Sequence, residues 1–447
     1  MRKKQMNRLR RQLAFKDEII IEIDSIPSDL NPLNTYDYTS RFICSALYEP
    51  LENNINCTIT TKENIFFSIE LHSSYIGNAQ QLLNCFLYHL NFKNKSIYIR
   101  SLLIIKGVAD YIKGLKSINE IGIKVLNDRK LIIELEKESF FFSHIIQSIY
   151  ILPVEEDMAV QNGPYKLNML TSEEVKLIYN PNYYSRKTKN YIKNLTFKLN
   201  NNPNDSINLY KNYKIDVSCH TQFLHTNAHY MQYSDFKEIN SPMMFTLFVN
   251  NTKLRNLINK NICRKDIANN LKNIIIPLYT LTGDATFERA LKKHSNDLQL
   301  IEDTRDLKII YADYYPNSII MDNIIYLLKQ YGYTCSVKII KDFRDYIKIN
   351  TKEYDISLHL FFPLYHHYSS YVSSFLTNIN DMSEKMNILN FLNANDISNL
   401  NIYLQYTDNY IPLFLGKSLY IKDSNINGFQ LKDNGYLCVK NLEYANR

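Results

Sequence analysis

The most constraining feature of this sequence is the rhythm of its second half. Apolar runs of strand length alternate with helical patterns: FTLFVNN at 245–251, ICRKDIANNLKNII at 262–275, LKIIYAD at 307–313, SIIMDNIIYLLKQYG at 318–332, TCSVKII at 334–340 and YDISLHLFF at 354–362. A helix between two strands carries the chain back to the end where the first strand began. The pattern therefore predicts an α/β layer with parallel strands and crossover helices. Gly332 is the expected stop of the 318–332 helix, because only glycine enters the left-handed conformation cheaply.

The first half is more mixed. IIIEI at 19–23 reads as a strand, and the Pro-, Ser- and Asn-rich stretch after it as a loop. A helix comes next at TSRFICSALYEPL, with Thr39 as its expected N-cap, Phe42, Ala46 and Leu47 on one face, and Pro50 as its stop. Residues 64–71 read as a strand, and 79–90 as a helix with Leu82, Leu83, Phe86 and Leu90 inward. Residues 121–137 form a hairpin around an Asn-Asp turn, and 140–153 an apolar helix ending near Pro153. Residues 162–184 read strand, turn, strand, then an Asn-Pro turn, and 206–219 a helix feeding a short strand. No repeat of solenoid period occurs.

Composition narrows the class. At 447 residues the chain is long enough for about three domains or one large two-lobed body. Its 45% apolar and 22% charged residues exclude a disordered chain. The 52 basic and 45 acidic residues leave a net charge of +7, too weak at this length to argue for nucleic acid. Seven widely spaced cysteines with no CxxC pair argue against a disulfide framework or zinc knuckle. Six basic residues lie between Arg2 and Arg11, and charges at Lys16, Asp17 and Glu18 come before any apolar stretch can build up. That is no secretory leader, and no run of about 18 apolar residues occurs to cross a membrane. As written, the expected location is cytoplasmic; an extracytoplasmic, membrane-associated one is expected if the start is misassigned. The basic segment reads as a solvated leader or a phosphate-binding arm.

No GxSxG, P-loop, GxGxxG or HExxH motif is present, and Glu155-Glu156 and Glu173-Glu174 lie in polar stretches. No enzyme and no cofactor are expected. Cys219, His220, His225 and His229 have zinc-ligand chemistry, with His225 and His229 at helical i, i+4 spacing. No acidic partner accompanies them, so they read as ordinary core or surface side chains. Tyr36, Tyr38, Tyr365, Tyr368 and Tyr371 offer aromatic bodies with hydroxyl tips, suited to a ligand of mixed polarity.

Several segments, in this order, resemble bacterial solute-binding proteins of family 5, the oligopeptide and dipeptide binders of ABC importers. SIPSDLNPLNTYDYTSRFICSALYEPL is similar to that family's opening, and KGVADYIKGLKSINEIGIKVLNDRKLIIELEKESFFF to its insertion helix, linker and hairpin. Asn162-Gly163-Pro164-Tyr165-Lys166 resembles its G-T-G-P-Y-K turn, and Asn180-Pro181-Asn182-Tyr183-Tyr184 its N-P-N-Y-W. NICRKDI at 261–267 resembles the helix that opens its second lobe, and EYDISLHLFF its Y-D-x-A-L-x-G-W strand. Ile411-Pro412-Leu413 and Asn427-Gly428-Phe429 match its return to the first lobe.

The resemblance implies a two-lobed periplasmic-binding-protein-like (type II) α/β fold with an extra α+β subdomain. The expected boundaries are a basic segment at 1–17, lobe one at 18–52, 162–240 and 411–447, the subdomain at 53–161, and lobe two at 241–410. It implies a peptide or other small solute trapped by hinge closure and left chemically unchanged. Candidate ligand contacts are Tyr36, Asp37, Asn250, Phe361, Phe362, Tyr365, His366 and His367. Expected partners are the ligand and an ABC permease, with no nucleic acid and a monomeric chain. The same domain also occurs in sugar-phosphate-stress transcription regulators, so a cytoplasmic ligand sensor lacking its DNA-binding part is the alternative. Peptide binders of the family often carry an acid in the loop after the Y-D strand; here that position is Leu364.

Overall fold

The computed structural model describes residues 17–35, 37–183, 191–221, 231–271, 274–283, 306–341, 343–346, 348–375, 382–407, 409–432 and 435–445. These fall into two compact units. One lies within Met1–Thr221, Ala228–Lys237 and Tyr420–Arg447, the other within Glu238–Leu419.

The first unit is built on two four-stranded sheets. In one, strand Glu18–Ile23 pairs in parallel with Asn194–Leu199, which continues antiparallel to Glu174–Tyr179 and Tyr165–Leu170. Ile19, Ile21, Leu195 and Phe197 bury the same sheet. The other orders strands Cys57–Lys62, Phe66–Leu71, Lys130–Glu134 and Ile123–Asn127, all antiparallel. Helix Ala79–Leu90 packs on it through Leu82, Cys85, Phe86 and Leu90, while Leu83 is only half-buried. A capping box, Asn78 with Gln81, starts that helix.

Helix Tyr38–Leu47 has Asp37 as N-cap, not Thr39: the Asp37 carboxylate accepts from Ser40 N at 2.7 Å and Ser40 Oγ at 2.6 Å. Asp37 also accepts from Ser28 Oγ. The expected 140–153 helix is one turn, Phe142–Ile146. Its sequence is aromatic and β-branched, which disfavours a long helix, and tertiary burial of Phe142, Ile145, Ile146 and Ile149 holds the rest.

The second unit carries a six-stranded sheet in the order Ile275–Pro277, Tyr410–Ile421, Phe236–Val249, Ile356–Phe361, Asp306–Ala312, Thr334–Ile340. It is mixed rather than parallel throughout. Asp306–Ala312 runs parallel to Thr334–Ile340 and to Ile356–Phe361, as the alternation predicts. Ile356–Phe361 is antiparallel to Phe236–Val249, and Ile275–Pro277 to Tyr410–Ile421. The 262–275 pattern splits into helix Arg264–Asn270 and strand Ile275–Pro277, with a further helix, Thr252–Asn261, before it. Helix Asn317–Gln330 buries Ile320, Met321, Ile324 and Leu328, and Gly332 beyond it adopts φ +85°.

Two long strands, Phe236–Val249 and Tyr410–Ile421, begin in one unit of the chain and end in the other. Among the described residues no helix is long and apolar enough to cross a membrane.

Candidate functional site

Open sheets with parallel strands present loops at the strands' carboxyl ends, where ligands commonly bind. Each unit has one such edge, and the two differ in chemistry.

In the first unit the edge lies just past strand Glu18–Ile23. Asp24 is half-buried, and its carboxylate accepts from Thr221 Oγ1 at 2.6 Å, Ser25 Oγ at 3.2 Å and Thr39 Oγ1 at 3.3 Å. Among the described residues no lysine or arginine pairs with it, and three hydroxyls donate to it. Behind it lies His220, buried, with Nε2 2.7 Å from the Tyr38 hydroxyl and its ring 4.5 Å from that of Phe42. Burial pushes His220 down to about 3, so it is neutral at physiological pH. Cys219 is buried too, its thiol 3.1 Å from Thr221 Oγ1 and pushed up by burial beside Asp24 and Glu22. His225 and His229 lie outside the described residues, and among the described residues no group of three metal-ligand side chains converges.

In the second unit the edge ends strand Ile356–Phe361. Ser357, His359 and Phe361 alternate onto one face, with Phe248 and Thr246 opposite Ser357 and His359 in register. His359 is half-buried, and its Nε2 lies 2.8 Å from Ser357 Oγ. Its ring stacks near Phe361 at 5.8 Å and meets Tyr410 at 6.2 Å. Burial lowers His359 to about 4. Thr246 is fully buried, and its hydroxyl has no hydrogen-bond partner among the described residues. This edge is therefore aromatic and uncharged.

The sequence candidates divide between these edges and local backbone roles. Tyr36 lies outside the described residues. Asp37 is the N-cap already described. Asn250 Nδ2 donates to the Lys352 and Tyr354 carbonyls at 2.9 and 2.6 Å, closing a turn. Phe361 and Phe362 are half-buried at the aromatic edge. Tyr365 is buried, its hydroxyl 3.1 Å from Ser369 Oγ. His367 Nδ1 also meets Ser369 Oγ, at 2.8 Å, whereas His366 is exposed. Phe361 to His367 are contiguous in the chain, with Tyr365 buried among partly exposed neighbours; Asp37 and Asn250 stand apart from them in the chain and serve local backbone. Asp24 and His359 were not among the sequence candidates. Their signals were present: Asp24 is the first polar residue after an apolar run, and His359 interrupts the apolar alternation of YDISLHLFF.

A cavity of about 30 Å³ beside Glu49, Glu52, Lys432 and Lys440 has room for about one water and is too small for a solute.

The family model of bacterial extracellular solute-binding proteins, family 5 (middle), matches residues 78–383. A dipeptide-binding protein of Lactococcus lactis subsp. cremoris (strain MG1363) is 23% identical over 208 residues, 42% of this chain and 37% of that protein. The aligned part of the chain thus spans little more than a third of that relative's length. The Escherichia coli murein tripeptide binding protein MppA has a similar fold, with TM-score 0.80 and 14% identity over 97% of this chain and 99% of its own. Haemophilus influenzae OppA, solved in complex with RPPGFSPFR, gives TM-score 0.77 and 14% identity over 97% and 99%. Together they bear out the two-lobed periplasmic-binding-protein-like α/β fold. The sensor alternative finds no support among these relatives. The chain belongs to the bacterial extracellular solute-binding proteins, family 5.

Proposed function

We propose that the chain binds a peptide, or a small solute of like chemistry, and releases it unaltered, as the solute-receiving component of an ABC-type importer. Family membership and the peptide-binding relatives support this reading. The single observation that carries it is Asp24: a half-buried carboxylate at a parallel-strand end, ringed by three hydroxyls and paired with no cation among the described residues. A charge held that way is suited to a ligand ammonium or guanidinium. The aromatic edge at His359, Phe361 and Phe362, with His366 exposed in the loop after it, suits apolar or amide side chains. With Leu364 where relatives often carry an acid, Asp24 takes over the anionic anchor.

The domain boundaries belong to the same reading: a discontinuous first lobe, a subdomain at 53–161, and a second lobe at 241–410. So do a monomeric chain, a permease partner, the absence of catalysis and an extracytoplasmic place of action. Isothermal titration with the tripeptides Lys-Ala-Lys and Glu-Ala-Glu tests the anchor. The cationic peptide is expected to bind at least tenfold more tightly and to be recovered uncleaved. Equal affinities contradict the Asp24 assignment. Fractionation of the source cells tests location: recovery in the cytosol alone contradicts the importer role.

A further inference from the structure

Within the aromatic edge of the second unit, one polar pair is set in a single way. Ser357, His359 and Phe361 alternate onto one face of strand Ile356–Phe361, with Thr246 opposite His359 on strand Phe236–Val249. The His359 ring lies 5.8 to 6.4 Å from the rings of Phe361, Tyr410, Tyr346 and Phe248, so these rings surround it. His359 Nε2 is 2.8 Å from Ser357 Oγ, and the proton between them belongs to one or the other according to the tautomer.

Burial decides which. Ser357 is fully buried, and its hydroxyl meets no other acceptor among the described residues. Thr246 Oγ1, the other hydroxyl on this face, has no partner there either, so it does not take the serine's proton. Were Nε2 protonated, the serine's own proton would be buried unpaired. That costs more than leaving an accessible imidazole N–H to solvent. Ser357 therefore donates to Nε2. His359 is neutral at physiological pH, burial among the rings having lowered it to about 4, so its one ring proton sits on Nδ1. Nδ1 has no partner among the described residues and, unlike Thr246 Oγ1, is not sealed from solvent. No lysine or arginine occurs in 240–249 or 356–375. A carboxylate would thus come among rings with no cation to meet it, whereas an amide oxygen needs only the one donor.

We propose that His359, through its Nδ1–H, is a specificity-determining donor to an uncharged amide oxygen of the ligand, and that Ser357 is the positioning residue that fixes the ring's tautomer. This rests on the solute-binding reading and names what its aromatic half selects. The amide oxygen comes from an Asn or Gln side chain or from the peptide main chain, two sources that the titrations below tell apart.

Nitrogen NMR of the full chain with isotope-labelled histidine, assigned by His359→Phe, reads the tautomer with no ligand present. A protonated Nδ1 and a bare Nε2 are expected at neutral pH, and Ser357→Ala is expected to populate the Nε2–H form. A proton on Nε2 in the unaltered chain overturns the proposal, whether or not any peptide binds. Titration calorimetry then compares Lys-Gln-Lys with Lys-Met-Lys, peptides of like size that differ in the amide. His359→Asn ends its NH2 near where Nδ1 stands, His359→Gln near where Nε2 stands, and His359→Phe has no donor. For a side-chain amide, the glutamine peptide is expected to bind about fivefold more tightly, the worth of one neutral hydrogen bond. The Phe and Gln variants are then expected to lose that preference and the Asn variant to keep it. For a main-chain oxygen, both peptides are expected to bind alike, weakened about fivefold by His359→Phe and restored by His359→Asn. Equal losses in the Phe and Asn variants, or no loss in either, overturn the proposal. Failure of both peptides to bind the unaltered chain counts against the solute-binding reading itself, and the tautomer measurement still decides whether the donor is there.

Discussion

Each unit keeps a neutral histidine behind its candidate edge, yet the two are held differently. His220 is buried, fixed by the Tyr38 hydroxyl and packed on Phe42. His359 is half-buried, with Ser357 its one hydrogen-bond partner among the described residues. The ion pairs differ in the same sense. Lys440 binds Glu49 and Glu52 in the first unit, Glu49 being 1% exposed and also accepting from the Tyr183 hydroxyl. In the second unit, Lys417 pairs with a half-exposed Glu238 at 2.6 Å. The first unit is the more pre-set half: it holds a half-buried carboxylate among hydroxyls and sinks an ion pair. The second offers adaptable aromatic surface.

Removing the buried cation is the harshest way to break that contrast. Lys440→Met leaves Glu49 buried without its main counter-charge and is expected to cost about 3–5 kcal/mol, measured by urea unfolding. A loss below about 1 kcal/mol would make the first unit no more pre-set than the second.

Acid sharpens the same comparison. His89, buried with Nδ1 on Ser96 Oγ and Nε2 on the Tyr150 carbonyl, is lowered to about 4, and His220 to about 3. The unfolded chain takes up these protons at about 6.5, before the folded one does. Their stabilisation is therefore complete above about pH 6.5 and is lost as pH falls toward 4 and then 3. His89 is expected to contribute about 3 kcal/mol to that loss and His220 somewhat more, about 5 kcal/mol. Hydrogen exchange against pH is expected to show the first unit opening before the second; the reverse order contradicts the assignment.

Next in size is the anchor. Asp24→Asn keeps the side chain's shape but removes the charge and turns one acceptor oxygen into a donor, and is expected to weaken Lys-Ala-Lys binding roughly 10- to 100-fold, the range of a charge-assisted hydrogen bond. An unchanged affinity in titration calorimetry removes Asp24 from the site. The smallest effect is expected from Lys417→Met, below about 1 kcal/mol by the same urea assay, because its partner is well solvated.

Local periodicity made much of the fold legible. The helix at 79–90, the hairpin at 121–137 and the 318–332 helix closed by Gly332 all lie where their patterns put them. Strand Cys57–Lys62 was missed because CTITTK is mostly polar and buries little beyond Cys57. The mixed character of the larger sheet was hidden for another reason. Its antiparallel neighbours come from Tyr410–Ile421 and the long Phe236–Val249 strand, and no local pattern encodes a pairing at that separation.

Sequence resemblance pointed to Phe361, Phe362, Tyr365, His366 and His367, which lie at the end of strand Ile356–Phe361 and in the loop after it. It gave less on Asp37 and Asn250, because a cap or a turn uses the same polar atoms as a ligand contact. Asp24 emerged only when the fold brought Thr221 and Thr39 around it, across long stretches of chain.

The central claim is that this chain holds a guest molecule. Native mass spectrometry of the protein purified from its source tests it most directly, with thermal shift against a pool of tri- to nonapeptides alongside. The account predicts adducts of peptide mass that leave intact on activation, and a rise in thermal midpoint with the pool. A bare polypeptide mass together with an unmoved midpoint would contradict it.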